Sequence, residues 1–100
     1  MTQEVRQIAA IAVVWLLKED WNRWLAMDPR FEPDFEYWLR RTEAAIDQVE
    51  STGTRCEPVL VDPDQFNRWR RQNGRPVDAP SRAVYAAWLL AQQDERHAAA

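Results

Sequence analysis

The sequence predicts a small α/β domain in which two short parallel strands are joined through helices. Three features support this prediction: an apolar run near the start, a β-favouring run in the middle, and residues that mark the beginnings and ends of helices. With 100 residues, 46% of them hydrophobic and 29% charged, the chain has the size and composition of one folded domain with one core. We predict a single domain over residues 1–96 and a disordered tail over residues 97–100.

The clearest predicted element is a helix over residues 34–51. Apolar residues recur along it at spacings of three and four, and charged residues occupy the opposite face. Pro33 suits the first turn of a helix, where a missing N–H group costs nothing, and Gly53 suits the left-handed residue that follows a helix end. Both ends of this helix are therefore marked in the sequence.

A short strand and a third helix follow that glycine. Residues 56–61 favour a strand, and the helix is expected over residues 63–73. Asp62 is the predicted N-cap, Pro63 the first helical residue and Gln65 the capping partner. Gly74 supplies the exit from this helix. A last helix is predicted over residues 80–94, from the apolar stripe that contains Val84 and Trp88.

The segment Ile8–Leu17 is apolar on every side, so its periodicity fits a buried strand or a buried helix. A strand at residues 56–61 needs a hydrogen-bonding partner, and no other stretch favours a strand. We therefore predict a strand over residues 10–17, a short helix over residues 20–27, and a right-handed crossover that makes the two strands parallel. The alternative is an all-α bundle in which residues 2–27 form one helix.

A sheet of two strands leaves unpaired backbone groups along both outer edges. For so short a chain, pairing with a second copy is an economical way to cover such an edge. The sequence therefore predicts a homodimer.

Composition limits the chemistry that the chain can perform. The one histidine, His97, lies in the predicted tail, and the one cysteine, Cys56, has no neighbouring base. The two glycines, Gly53 and Gly74, are both explained as helix ends, so no phosphate-binding loop is expected. We predict no enzyme activity, no catalytic residues, no zinc site and no cofactor.

Carboxylates follow both predicted strands and would meet at one rim of the sheet. Asp20, Asp62 and Asp64 are weak candidates for a magnesium site or for acid–base chemistry, and they make a metal-assisted enzyme one alternative function. The simpler interpretation is that Asp20 and Asp62 cap helices and that acids in a first helical turn complement the helix dipole.

A second candidate site is basic, although the whole chain has a net charge of −3. Residues 65–82 contain five arginines against one acid, Asp78. The group suggests binding of nucleic acid or another polyanion, and pairing with the acidic first half of the chain is the competing explanation. Its members are Arg68, Arg70, Arg71, Arg75 and Arg82, around Trp69.

Six tryptophans are many for this length, and most are expected in the core. Trp38, Trp69 and Trp88 lie on predicted buried stripes. Trp21 and Trp24 lie where a surface helix would expose at least one edge, so they are the predicted interface residues.

The most favoured function is a small non-enzymatic bacterial interaction module that forms a homodimer and binds a protein partner. The alternative is a nucleic-acid or polyanion-binding regulator that uses the basic face.

Arginine in place of lysine and abundant alanine indicate a bacterial source. The lone cysteine, the absence of a signal-peptide pattern at the start and an apolar run of only ten residues predict a cytoplasmic protein without a membrane span.

Overall fold

The computed structural model describes the backbone of residues 10–99 and the side chains of residues 10–96. These residues form two strands and four α-helices, and the predicted small α/β domain is confirmed. A short 3-10 turn over Lys18–Asp20 leads into the first helix. In chain order the elements are β1 (Ile11–Trp15), α1 (Trp21–Met27), α2 (Phe35–Glu50), β2 (Cys56–Leu60), α3 (Pro63–Gln72) and α4 (Ala79–Ala99).

The two strands pair in parallel, with Ile11 opposite Cys56 and Trp15 opposite Leu60. The alternative of an all-α bundle is wrong, because residues 11–15 are extended and hydrogen-bonded to β2; the part of that alternative that falls on residues 2–9 lies outside the described residues. The strands are shorter than predicted. Leu16 and Leu17 have left β1, and Val61 follows β2, although its N–H still donates to the carbonyl of Trp15.

Local rules account for the helix boundaries. The carboxylate of Asp62 accepts from the N–H of Gln65, and that of Asp34 accepts from the N–H of Glu36. Asp78 begins α4 in the same way, and the hydrogen bond from the backbone of Ser81 lowers the pKa of its carboxyl. Gly53 and Gly74 follow helix ends with φ angles of 89° and 64°, as predicted.

The two faces of the sheet differ in how well they are covered. Val14 and Val59 lie opposite each other on the face that packs against α4, where Val59 is buried. The other face carries Trp15, whose ring meets that of Trp38 on α2. On that face Ile11 remains 48% exposed and Leu60 remains 55% exposed. The core therefore lies on the α4 side of the sheet and beyond the carboxyl ends of the strands.

A series of contacting aromatic side chains connects the four helices. The ring of Trp21 contacts those of Trp38 and Phe31, and Trp24 stacks on Phe31 with centroids 5.6 Å apart. Trp24 also contacts Phe66 on α3 at 5.6 Å. The series then continues through Phe66 and Trp69 to the rings of α4. Aromatic contacts thus join α1, α2, α3 and α4.

The last helix differs from its prediction in two respects. It continues to Ala99, so residues 97–99 are helical where a disordered tail was predicted, and residue 100 lies outside the described residues. Trp88, predicted on a buried stripe, is 44% exposed. Among the described helices, none is long and apolar enough to cross a membrane.

Trp24 provides a test of the aromatic chain. It is fully buried, and its indole N–H has no hydrogen-bond partner among the described residues. We expect Trp24→Ala to lower the free energy of unfolding by about 3–5 kcal/mol, measured by urea titration. Trp24→Phe should cost less, because it keeps most of the ring contacts and removes an unpartnered donor. Equal losses in the two variants would contradict a role based on ring packing.

Candidate interaction surface

Helix α2 is the least covered element of the fold. It has 16 residues, both of its ends follow standard rules, and an apolar stripe runs along it, yet none of its residues is buried. Apolar stripes of this kind normally face a core. Trp38, Ile46 and Val49 are each only half-buried. The second half of the stripe thus faces a space that the described part of the chain does not fill, whereas Trp38 in the first half contacts the rings of Trp15 and Trp21.

That space is an open groove of about 700 Å³ between α2 and β1. The α2 wall carries small side chains, Ala44 and Ala45, and the β1 wall carries Ile11 and Val13. Arg82, near the beginning of α4, also lines the groove. Sequence reasoning missed this groove because it takes the apolar stripe of α2 as buried, and nothing in the sequence indicates that the partner surface is incomplete.

The predicted basic group is only partly available to a partner. Arg68 and Arg71 are exposed on α3, and among the described residues no carboxylate lies within ion-pair distance of either. Arg70 donates to the side chain of Asn67, and Arg75 donates to Ser81 at 3.2 Å. The competing explanation was that these arginines pair with acids of the first half of the chain. It does not account for Arg68 and Arg71.

Arg82 is the exception, and its assignment to the basic face is corrected. Its guanidinium pairs with Asp28 at 3.1 Å, and the two side chains are 11% and 8% exposed. The same guanidinium lies 4.9 Å from the ring centroid of Phe31 and 5.6 Å from that of Trp24. Arg82 is thus a structural residue that fastens α4 to the end of α1.

An exposed aromatic surface lies beside α3. The ring of Trp88 stacks on that of Tyr85 with centroids 5.9 Å apart, and its centroid lies 6.5 Å from that of Trp69. Nearly half of the surface of Trp88 is exposed to solvent. Tyr85 is buried, and its burial raises the pKa of its hydroxyl. The surface-exposed tryptophan is therefore on α4, at the opposite end of the aromatic chain from the predicted pair.

Trp21 and Trp24, the predicted interface residues, are both buried in the core. Trp21 is 6% exposed and donates its indole N–H to the carbonyl of Glu32, and Trp24 is 0% exposed. The prediction that one edge of this pair faces solvent is wrong. Helix α1 is only seven residues long, and both tryptophans point from it into the core, where Phe31 packs against each of them.

The acidic rim forms, but Arg23 occupies its centre. The Arg23 guanidinium hydrogen-bonds to Asp20 and to Asp64 and lies 3.9 Å from Asp62. The hydrogen bond to Asp20 is the largest cause that raises the pKa of Arg23. Asp20 uses its carboxylate for this pair and caps no backbone N–H, which corrects its predicted capping role. Within the described residues, no group of acids is arranged to hold a metal ion.

Comparisons of the chain with protein-family models, with curated proteins and with solved structures give no match. The geometry of the groove and of the α3–α4 surface is therefore what supports a proposal about function.

The buried ion pair predicts an unequal effect of two arginine substitutions. Arg82→Met should lower the free energy of unfolding by about 3–5 kcal/mol, because it leaves the charge of Asp28 buried without a partner. Arg68→Met, on an exposed face, should change it by no more than about 0.5 kcal/mol. In urea titrations, adding Asp28→Asn to Arg82→Met should recover part of the loss. Strictly additive losses would contradict a direct interaction between the two side chains.

Proposed function

We propose that the protein is a non-enzymatic interaction module that functions as a homodimer and, as a dimer, binds a protein partner. The observation that carries the proposal is the uncovered apolar stripe of α2, which lines the groove of about 700 Å³ beside β1. A contiguous apolar surface of this kind, bordered by charged residues, is typical of protein–protein interfaces. The half-exposed Trp88 provides a second surface for the partner.

Cys56 is consistent with a bacterial cytoplasmic setting. It is a free thiol that is partly buried and lines the same groove. We propose a reducing cytoplasm as the location of the protein, because an accessible thiol at an interface persists where disulfides do not form.

The homodimer is tested by light scattering over a dilution series. We expect the parent protein to have a mass of two chains at high concentration and to dissociate on dilution. Ala45→Glu places a charge in the groove and should weaken the dimer at least tenfold, because burying an unpaired carboxylate costs several kcal/mol.

Ala26→Glu is the matched control, because Ala26 is exposed on α1 and does not line the groove. Its dissociation constant should equal that of the parent. A parent mass of one chain at every concentration would contradict the proposed homodimer.

A second candidate is a polyanion-binding regulator, favoured by the exposed arginines of α3. Arg68 and Arg71 carry charge that no described carboxylate neutralises, and Trp88 is open for stacking against a base. Phosphate binding by such side chains gives an affinity that falls steeply with salt concentration.

Fluorescence anisotropy with a labelled single-stranded oligonucleotide tests this second candidate. Arg68→Glu combined with Arg71→Glu should weaken binding at least tenfold and should make its dependence on salt less steep. Lys18→Glu combined with Arg55→Glu makes the same change in charge at exposed positions elsewhere. If both double variants weaken binding equally, general charge and not this surface is responsible.

A further inference from the structure

The two outer edges of the sheet differ in their capacity to accept another strand. The N–H of Ile11 donates to the carbonyl of Arg55, and the carbonyl of Trp15 accepts from the N–H of Val61. In a pair of parallel strands, the backbone N–H and C=O groups of every second residue point towards the partner strand. Ile11, Val13 and Trp15 therefore direct their backbone groups towards β2, and Ala12 and Val14 direct theirs outwards.

The outer edge of β2 is interrupted. By the same alternation, the backbone groups that point away from β1 are those of Cys56, Pro58 and Leu60. Pro58, at the middle of that edge, has no N–H group to donate. Proline on an edge strand is a common device that prevents further pairing. Along β1, by contrast, the outward residues Ala12 and Val14 each keep both a donor and an acceptor, and among the described residues neither group has a partner.

We propose that the outer edge of β1 pairs in antiparallel orientation with β1 of a second copy, giving a continuous sheet of four strands with Val13 at the two-fold axis. This inference rests on the proposed homodimer and specifies its interface. A two-fold axis at Val13 places Ala12 of one copy opposite Val14 of the other, so that both outward residues form hydrogen bonds in each copy. With an axis at Ala12 or at Val14, one of the two outward residues would instead lie opposite a residue outside β1.

This arrangement also covers the groove. A two-fold axis perpendicular to the sheet does not turn the sheet over, so both copies of α2 lie on the same face and run antiparallel to each other. Ala44 and Ala45, on the groove wall, are small enough to allow close approach of the two helices. The uncovered stripe of one α2 would then meet that of the partner.

Charge on α2 fits an antiparallel pairing with itself. Its first half contains Arg40, Arg41 and one acid, Glu36, which pairs with Lys18, and its second half contains three acids, Glu43, Asp47 and Glu50, and no base. Among the described residues, the two arginines and the three acids of the second half form no ion pair within their own chain. In an antiparallel pair, the basic half of each helix faces the acidic half of the other, which favours a second copy over an unrelated occupant.

The helix on the opposite face of the sheet carries small side chains beside the groove. Helix α4 packs on that face, and Ala79, Ala83 and Ala87 share one of its sides because they are four positions apart. That side carries Ala79, which lines the groove, and the exposed residues Ala83 and Ala87. Small side chains at these positions are compatible with the approach of a second copy.

A site-specific disulfide tests the register. At a two-fold axis, Val13 and its symmetry mate form a pair without direct hydrogen bonds, with Cα atoms about 4.5 Å apart, which is within the range that a disulfide spans. In a Cys56→Ala background, Val13→Cys should give a covalently linked dimer under mild oxidation. Leu60→Cys in the same background is the control, because Leu60 is more exposed than Val13 but lies on β2.

A second variant removes only the backbone N–H group of Ala12, which points away from β2. Ala12→Pro deletes the N–H of Ala12 but none of the hydrogen bonds that Ile11 and Val13 make to β2. We expect the variant to keep the circular dichroism spectrum of the parent and to dimerise at least tenfold more weakly.

The outcomes separate this inference from the proposed homodimer. A dimer that Val13→Cys links and Leu60→Cys does not link supports the β1 interface. A dimer by light scattering that Val13→Cys fails to link overturns the inference and leaves the proposed homodimer intact. A monomer at every concentration overturns both. In that case, protection of the Ala12 and Val14 amides from hydrogen exchange would show that another segment of the same chain covers the edge.

Discussion

The fold depends on the packing of Trp24 between Phe31 and Phe66. A two-stranded sheet buries too little apolar surface to organise four helices by itself. Trp24 is fully buried and contacts one ring before α2 and one ring on α3. Arg82 lies over the same ring and pairs with Asp28, so α4 is fixed at this point as well. The aromatic core thus replaces the larger sheet that an α/β domain usually contains.

The sequence predicts the elements whose determinants are local. Asp62, Pro63 and Gly74 mark the limits of α3 through a cap, a fixed φ angle and a left-handed residue, and each of these acts within a few residues. The parallel pairing of β1 was also predicted, because a strand at residues 56–61 needed a partner.

The site was harder to predict, because burial depends on contacts between distant residues. Arg82 belongs to a basic cluster in the sequence, yet its partner Asp28 is 54 residues away, and no local pattern indicates that pair. Trp24 and Trp88 show the same difficulty: both lie in helical segments, and only packing decides that the first is buried and the second half-exposed. Periodicity shows which residues share a face, and it does not show whether another surface covers that face.

The uncovered stripe of α2 has a consequence for stability as well as for binding. A helix of this length gains most of its stability from tertiary packing, and α2 in one copy relies on its caps and on contacts of Phe35 and Trp38 near its beginning. In its second half, six residues between Thr42 and Val49 line the groove, and none of them is fully buried. If a second copy covers that half, formation of the interface stabilises the helix and the edge of β1 together. Folding of α2 and association of the chain then become linked, so that the stability of the domain rises with its concentration.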